Sequence, residues 1–492
     1  MNISSITFLY LFLPIAVAIY FLIPAKKNLK ARNVFLLIIS ILFYAWGEPV
    51  RILLLIILIV CTYLLGLLAN GNRRKIKGHV AVTIAVVMNV GVLFFYKYVP
   101  LIFKSLNYIP SFELPSLNLS LPLGLSFFCF SSISYVVDVY RTKTQVQKNI
   151  INLSLYLSIF FKVIQGPIMQ YNQFEKYINE RTHSFEKFSE GAVRLIIGLG
   201  KKILLATELG IIVSQSFSAE NYSTLPVMLA WLGAFAYMLQ LYFDFSGYSD
   251  MAIGLGKIFG FDVPENFEYP YASTSVTEYW QRWHKTLGEW LRDYVYYPLT
   301  LGPAIKIRKK MAKKHSREAG KLVVNVFTLG IIWFITSVWH GRSVNYLIWG
   351  FINGGISLLE LYKKPLKNIK LDKFLGWLYT FLIAFFVKTL TNINGLGKAL
   401  SYYGAMFGLH GNSFTSDWTS FILKDNFFIL IIGTLLCFPI VKIMQNKIYN
   451  SNKKVLIVAY QVIYVVTILL ILILSLAFVL RSSTTSFLYQ QF

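Results

Sequence analysis

"KLVVNVFTLGIIWFITSVWHGRS", residues 321–343, has no Asp, Glu, Lys or Arg between Lys321 and Arg342. Twenty residues of α-helix rise about 30 Å, the thickness of a bilayer's hydrocarbon layer. Read this way, the stretch is a membrane span that ends on a histidine, His340. Runs of similar length recur from end to end. The chain of 492 residues is 56% hydrophobic and only 14% charged, where a soluble protein carries about a quarter charged residues. The fold class is therefore an all-α polytopic membrane protein.

A net charge of +25 would point to nucleic acid in a soluble chain. Here the basic residues fall in short clusters between apolar runs, the pattern of cytoplasmic loops, and nucleic-acid binding is excluded. Cys61, Cys129 and Cys437 lie singly inside apolar segments and read as small core hydrophobes. The N-terminal apolar stretch has no basic residue before it and no small-residue cleavage site. It reads as a retained first span.

Topology follows from the basic clusters. Lys26, Lys27, Lys30 and Arg32 come after the first span and put the N-terminus outside. Arg73 to Lys77 and Arg141 to Lys148 each come two spans later. Spans are expected near 6–23, 33–49, 52–69, 79–97 and 121–140, then 150–168, 191–214 and 225–246. The basic run 306–317 must share a side with residue 148. With those three spans between them, a further crossing is expected within 247–300. Spans near 321–340, 342–361, 373–395, 427–445 and 455–480 complete a chain whose C-terminus is extracytoplasmic. A plasma-membrane location is expected, and the whole chain, 1–492, reads as one membrane-embedded domain.

Ionisable residues inside such a protein are costly and are candidates for function. "YFDFSGYSD", residues 242–250, places Asp244, Ser246, Tyr248 and Asp250 within seven positions. A satisfied polar network between helices explains them equally well. The segment 275–299 sets Trp280, Trp283, Leu287, Trp290, Leu291 and Tyr294 at helical spacing, with His284 among them. That pattern suits an interfacial helix with rings at headgroup depth. His340 follows Trp339, and a neutral imidazole at the base of a cavity can act as a general base. The other histidines show no metal-ligand spacing, and no metal site is expected.

Five blocks occur in order: "LPLGLSFFCFSSISYVVDVYR" (121–141), "QGPIMQYNQF" (165–174), "YFDFSGYSDMAIGLGKIFGF" (242–261), "YWQRWHKTLGEWLRDYVYYPL" (279–299) and "WHG" (339–341). Together they resemble the bacterial membrane-bound O-acyltransferase family, in the branch that includes the alginate O-acetylation membrane protein. The resemblance implies about 11–13 transmembrane or re-entrant helices around a central tunnel, open to a cytosolic acyl donor and to an extracytoplasmic acceptor. Its two hallmark histidines match His284 and His340. Trp283, Trp339 and the 244–250 polar group would then line or support the tunnel. One departure is "AFFVK" (384–388), where Lys388 replaces an expected arginine and keeps the charge without the bidentate fork.

The implied activity is O-acyl transfer, acetyl most simply, onto an exported envelope polysaccharide. The donor would be acetyl-CoA or an acyl-carrier thioester used as a co-substrate, with no tightly bound cofactor. The partner would be an extracytoplasmic SGNH-type acyltransferase or esterase. Alternatives are D-alanyl transfer to teichoic acid, or a flippase of lipid-linked glycan, although no inverted repeat is visible. The tail 481–492 ends in "FLYQQF". Phe487, Tyr489 and Phe492 fit an F-x-Y-x-x-F pattern that resembles the acyl-relay tail of envelope acylation systems. Tyr489 would carry the acyl group while Phe487 and Phe492 seat the tail; an amphipathic terminus resting at the interface is the alternative. A phenol, with a pKa of about 10, is a better leaving group than an alkyl alcohol, so its ester keeps more transfer potential.

Overall fold

The structure, a computed structural model, describes all residues except 25–28, 72–74, 110–112, 118, 363–368 and 482–492. Among the described residues the regular elements are all helices. Seven are long and apolar enough to cross a membrane: Leu29–Gly47, Ile52–Ala69, Ile76–Leu106, Val227–Ile258, Arg317–His340, Leu371–Thr391 and Lys454–Arg481. Thr7–Leu22 and Leu125–Tyr140 are shorter apolar helices. Along Ile52–Ala69, Leu53, Ile57 and Leu64 each expose more than half their surface, whereas Leu58, Thr62 and Leu65 are buried. Large aliphatic residues facing outward along whole helices are what lipid contact requires.

The chain forms two compact units. One comprises Met1–Gly198, Tyr248–Glu265 and the end of the last helix from Val479; the other comprises Leu199–Gly247 and Asn266–Phe478. In the first, three helices are pinned by a buried polar cluster. Ser132 Oγ lies 2.7 Å from Thr62 Oγ1 and accepts from Asn89 Nδ2 at 3.0 Å. A methyl at Gly254 would stand 2.6 Å from the Gly191 carbonyl oxygen, so helices Phe185–Gly200 and Val227–Ile258 touch backbone to backbone.

Four expectations change. The run 150–168 does not cross. Helix Ile150–Ser158 stops at Ile159, whose ψ of 125° is extended, and a short turn Phe160–Val163 leads into Gly166–Pro167. The chain then returns to the loop it left. Tyr156 donates to the Met169 carbonyl at 3.0 Å, Lys143 to Gln170 Oε1 at 2.8 Å and Thr144 to Glu175 Oε2 at 2.9 Å. The segment is a hairpin.

Between residues 148 and 306 run the continuous helical stretch 185–217, which passes through a π-helical turn at Lys201–Thr207, and Val227–Ile258. Beyond residue 258 no helix before residue 317 is long and apolar enough to cross. The aromatic segment 275–299 is not one helix either, because Val276–Arg282 and Lys285–Leu291 are separated at Trp283 and His284. The run 427–445 breaks before Pro439. Asp417–Asp425 and Phe427–Leu436 are two helices bent by 54° to one another, and Ile440–Asn450 is a separate helix with no buried residue.

A histidine and tryptophan cluster as the candidate active site

Ser316 starts the helix that ends at His340: its hydroxyl accepts from the Ala319 amide at 3.0 Å, and Glu318 occupies the positively polarised first turn. Gly341 is extended and ends the helix. Ser343 then caps Val344–Glu360 by accepting from the Asn345 amide at 3.3 Å. Asn345 Nδ2 donates to the Ile393 carbonyl at 2.5 Å, which ties this corner to the end of Ile369–Thr391. Two helix caps and one buried amide thus fix His340 at a tight helical corner.

His340 is buried, only 6% exposed. Its ring centroid lies 4.5 Å from Trp339, 5.0 Å from Trp349 and 6.5 Å from Tyr346, the last stacked at 7°. His284 approaches the same indole from elsewhere in the sequence, 6.3 Å from Trp339, and packs edge-on to Phe245 at 4.7 Å. The Trp339 ring thus joins the two histidines, and Trp283 is the residue immediately before one of them.

Asn266 orients His284. Asn266 Oδ1 accepts from Thr286 Oγ1 at 2.9 Å and lies 3.1 Å from His284 Nδ1. Because that oxygen already receives hydrogen bonds, the network assigns the proton to Nδ1 and leaves Nε2 as the basic nitrogen. His284 sits between two short helices, outside the spans. Burial pushes its imidazole down to about 3, so the ring is neutral at physiological pH. A neutral, aromatic-walled imidazole can accept a hydrogen bond from a hydroxyl, but with its pKa this low it is a weak base and has no proton to spare as an acid.

A small cavity of about 20 Å³ adjoins the cluster, lined by Trp280, Trp349, Asn353 and Lys388 among others. Lys388, buried on Ile369–Thr391, places its ammonium 3.4 Å from the Trp283 ring centroid and 5.7 Å from Tyr279. This is a cation–π contact in a buried site. Glu360 holds the near wall by accepting from the Val276 and Thr277 amides at 2.7 and 2.8 Å, which satisfies the first turn of the helix carrying Trp280.

The acidic candidates have other partners. Asp244 accepts from Lys202 Nζ at 2.5 Å, with both side chains at most 5% exposed. Ser246 is buried in the same unit. Tyr248 and Asp250 belong to the first unit, where Arg194 donates to Asp250 at 2.7 Å and to Glu265 at 2.7 Å. The structure thus brings together His284, His340, Trp283 and Trp339, and places both aspartates in ion pairs. Sequence reasoning missed Lys202, Asn266 and Trp349, each brought to its partner by folding. Tyr489, Phe487 and Phe492 lie outside the described residues.

Residues 41–405 match the sequence profile of the membrane-bound O-acyltransferase family. A probable alginate O-acetylase AlgI of Pseudomonas syringae pv. tomato is 39% identical over 84% of this chain and 76% of its own length. A peptidoglycan O-acetyltransferase of Helicobacter pylori is 27% identical over 99% and 96%. A teichoic acid D-alanyltransferase of Bacillus subtilis is 27% identical over 48% and 58%.

Proposed function

The chain belongs to the membrane-bound O-acyltransferase family, and from that premise we propose that it moves an acetyl group from a cytosolic thioester to an exported envelope polysaccharide. The observation that carries this reading is His340: buried at a helix corner, walled by Trp339, Trp349 and Tyr346, and joined to His284 through one indole. The enzyme is an O-acyltransferase. Relatives named for acetylating alginate and peptidoglycan match 84% and 99% of this chain. Those named for teichoic acid D-alanylation match about half, which favours acetyl over D-alanyl transfer.

The basic loops face the cytosol of a bacterial plasma membrane, and both termini are extracytoplasmic. The donor, acetyl-CoA or an acyl-carrier thioester, enters a central tunnel from inside. Tyr489 of the tail attacks the thioester carbonyl while His340 takes the phenolic proton. The C–S bond breaks, the thiol leaves with a proton, and Tyr489 holds the acyl group as a phenyl ester. Phe487 and Phe492 seat the tail during this step. A serine of an SGNH-type partner then accepts the acyl group and delivers it to a sugar hydroxyl.

The test is polymer O-acetylation in cells producing His340→Ala or Tyr489→Phe at wild-type membrane levels. Both should abolish acetylation. Normal acetylation in His340→Ala removes the histidine from the mechanism. Normal acetylation in Tyr489→Phe removes the relay and leaves the acyltransferase assignment standing.

A further inference from the structure

A cleft of about 430 Å³ within the second unit shares no lining residue with the histidine cluster. One wall is the loop from Phe217 to Tyr222, which follows the helical stretch 185–217. The other is Gly397, Lys398 and Ser401 on helix Leu396–Met406. Sites for small molecules measure about 300–1,000 Å³, so there is room for a ligand here. The basic run 363–370 precedes the span Leu371–Thr391, and Gly397 follows it. The cleft therefore opens on the side opposite the basic loops, which is the extracytoplasmic side in the orientation proposed above.

The walls are held from behind. Asn221 Oδ1 accepts from the Ser223 amide at 3.0 Å and from its hydroxyl at 2.8 Å, and Tyr222 donates to the Phe217 carbonyl at 2.8 Å. Phe217 stacks on Tyr402 at 4.5 Å, and Tyr222 meets the same ring edge-on at 5.1 Å. Tyr402 is itself buried and donates to the Ala230 carbonyl at 2.9 Å. A ligand thus meets a surface that needs little ordering. The polar edge of the lining is unspent. Glu220 and Lys398 are both exposed, and among the described residues neither has an ion-pair or hydrogen-bond partner, although both line the one cleft. The carboxylate accepts, the ammonium and the Asn221 amide donate, and the Ser401 hydroxyl can do either.

With one charge of each sign in the lining, a polyanion meets Glu220 and a polycation meets Lys398 as like charges. A sugar hydroxyl is donor and acceptor at once and suits both groups, and the apolar face of a sugar ring packs on aromatic rings. We propose that this cleft binds a short uncharged stretch of the exported glycan and holds the acceptor on the outer face. The proposal rests on the polysaccharide acceptor inferred above, and it narrows that acceptor to a glycan whose rings are not all uronates.

The experiment is equilibrium dialysis of radiolabelled cellotetraose and chitotetraose against the purified full-length chain, in a detergent without a sugar headgroup, with tetramannuronate as the charged comparison. Wild type should bind one of the two uncharged tetrasaccharides saturably, one per chain, and tetramannuronate at least tenfold more weakly. A Cβ built at Gly397 meets nothing within 4 Å, so Gly397→Trp fills the cleft without disturbing its walls and should weaken binding at least tenfold. Glu220→Gln removes the like charge and should bring tetramannuronate to within about threefold of the uncharged sugar. His340→Ala should bind as wild type does, so a failure of the acyl-transfer mechanism leaves this measurement readable. Absence of saturable binding, unchanged binding in Gly397→Trp, or wild-type binding of tetramannuronate as tight as that of the uncharged sugars would each overturn the proposal. So would the absence of any gain for tetramannuronate in Glu220→Gln, or loss of binding in His340→Ala.

Discussion

One methyl group added at Gly350 should loosen the corner that holds His340. Gly350 lies on Val344–Glu360 where that helix crosses Arg317–His340. A Cβ built there overlaps Ser337 Oγ and sits 2.9 Å from the Trp333 carbonyl oxygen. The hydroxyl can rotate only by giving up its 2.7 Å hydrogen bond to that same carbonyl. The carbonyl is helix backbone and cannot give way. The helices must therefore part by several tenths of an ångström, and Trp349, the residue next to Gly350, then leaves its 5.0 Å contact with the His340 ring. Overpacking of this kind costs about 1–3 kcal/mol, and the lost hydrogen bond adds up to about 1 kcal/mol. Gly350→Ala should lower the apparent unfolding midpoint of the detergent-solubilised protein by a few degrees and cut acyl transfer. Ser337→Gly, which removes the overlapping atom, should recover part of the loss, with a coupling of about 1 kcal/mol or more in a double-mutant cycle. Wild-type stability and turnover in Gly350→Ala would refute the packing described for this corner.

Lys202→Met should be far more damaging than its conservative volume suggests, because it leaves Asp244 buried without its 2.5 Å partner; a loss of about 3–5 kcal/mol is expected. The double variant Lys202→Met with Asp244→Leu should recover most of it, and a double variant no more stable than the single would show that the pair is not the issue. Stability should also fall in acid through His284. Its folded pKa of about 3 lies below the free value of 6.5, so the unfolded chain binds the proton more readily. The contribution is full above pH 6.5 and declines toward pH 3, by up to about 1.4 kcal/mol per pH unit. His183, lowered to about 4 by burial and then by Arg32, Arg181 and Lys187, adds a slope of the same sign. His284→Asn should flatten the first slope in a midpoint-versus-pH series, and an unchanged slope would show that His284 is not the titrating group.

Composition and run length revealed the helical membrane class, because a helix such as Ile52–Ala69 needs nothing beyond its own residues to be recognised. They could not separate a span from a hairpin. The run 150–168 is apolar enough to cross, and what turns it back is one extended residue, Ile159, and the Gly166–Pro167 turn. Those signals are a few residues long and are averaged away in a window of twenty. The same holds at Pro439, which ends a helix that composition alone would continue. His340 was legible because a histidine at the end of an apolar run is unusual. The partners of the site were not. Lys202 meets Asp244 from 42 positions away, and Asn266 meets His284 from 18, separations with no local periodicity to betray them.

His284 has a backbone φ of +48° and ψ of +51°, the left-handed conformation. In that region most L-residues pay about 1–2 kcal/mol, and asparagine, aspartate, histidine and glycine are the side chains that visit it with least strain. Alanine scanning is therefore a blunt instrument at this position. An inactive His284→Ala enzyme would mix the loss of an imidazole with a twist imposed on the link between two helices, and the two could not be told apart. Asparagine and glycine keep the bend while removing the ring, so they report the chemistry alone. The same constraint narrows what drift can place there: a lineage that gave up the histidine without giving up the fold would be left with a very short list of replacements.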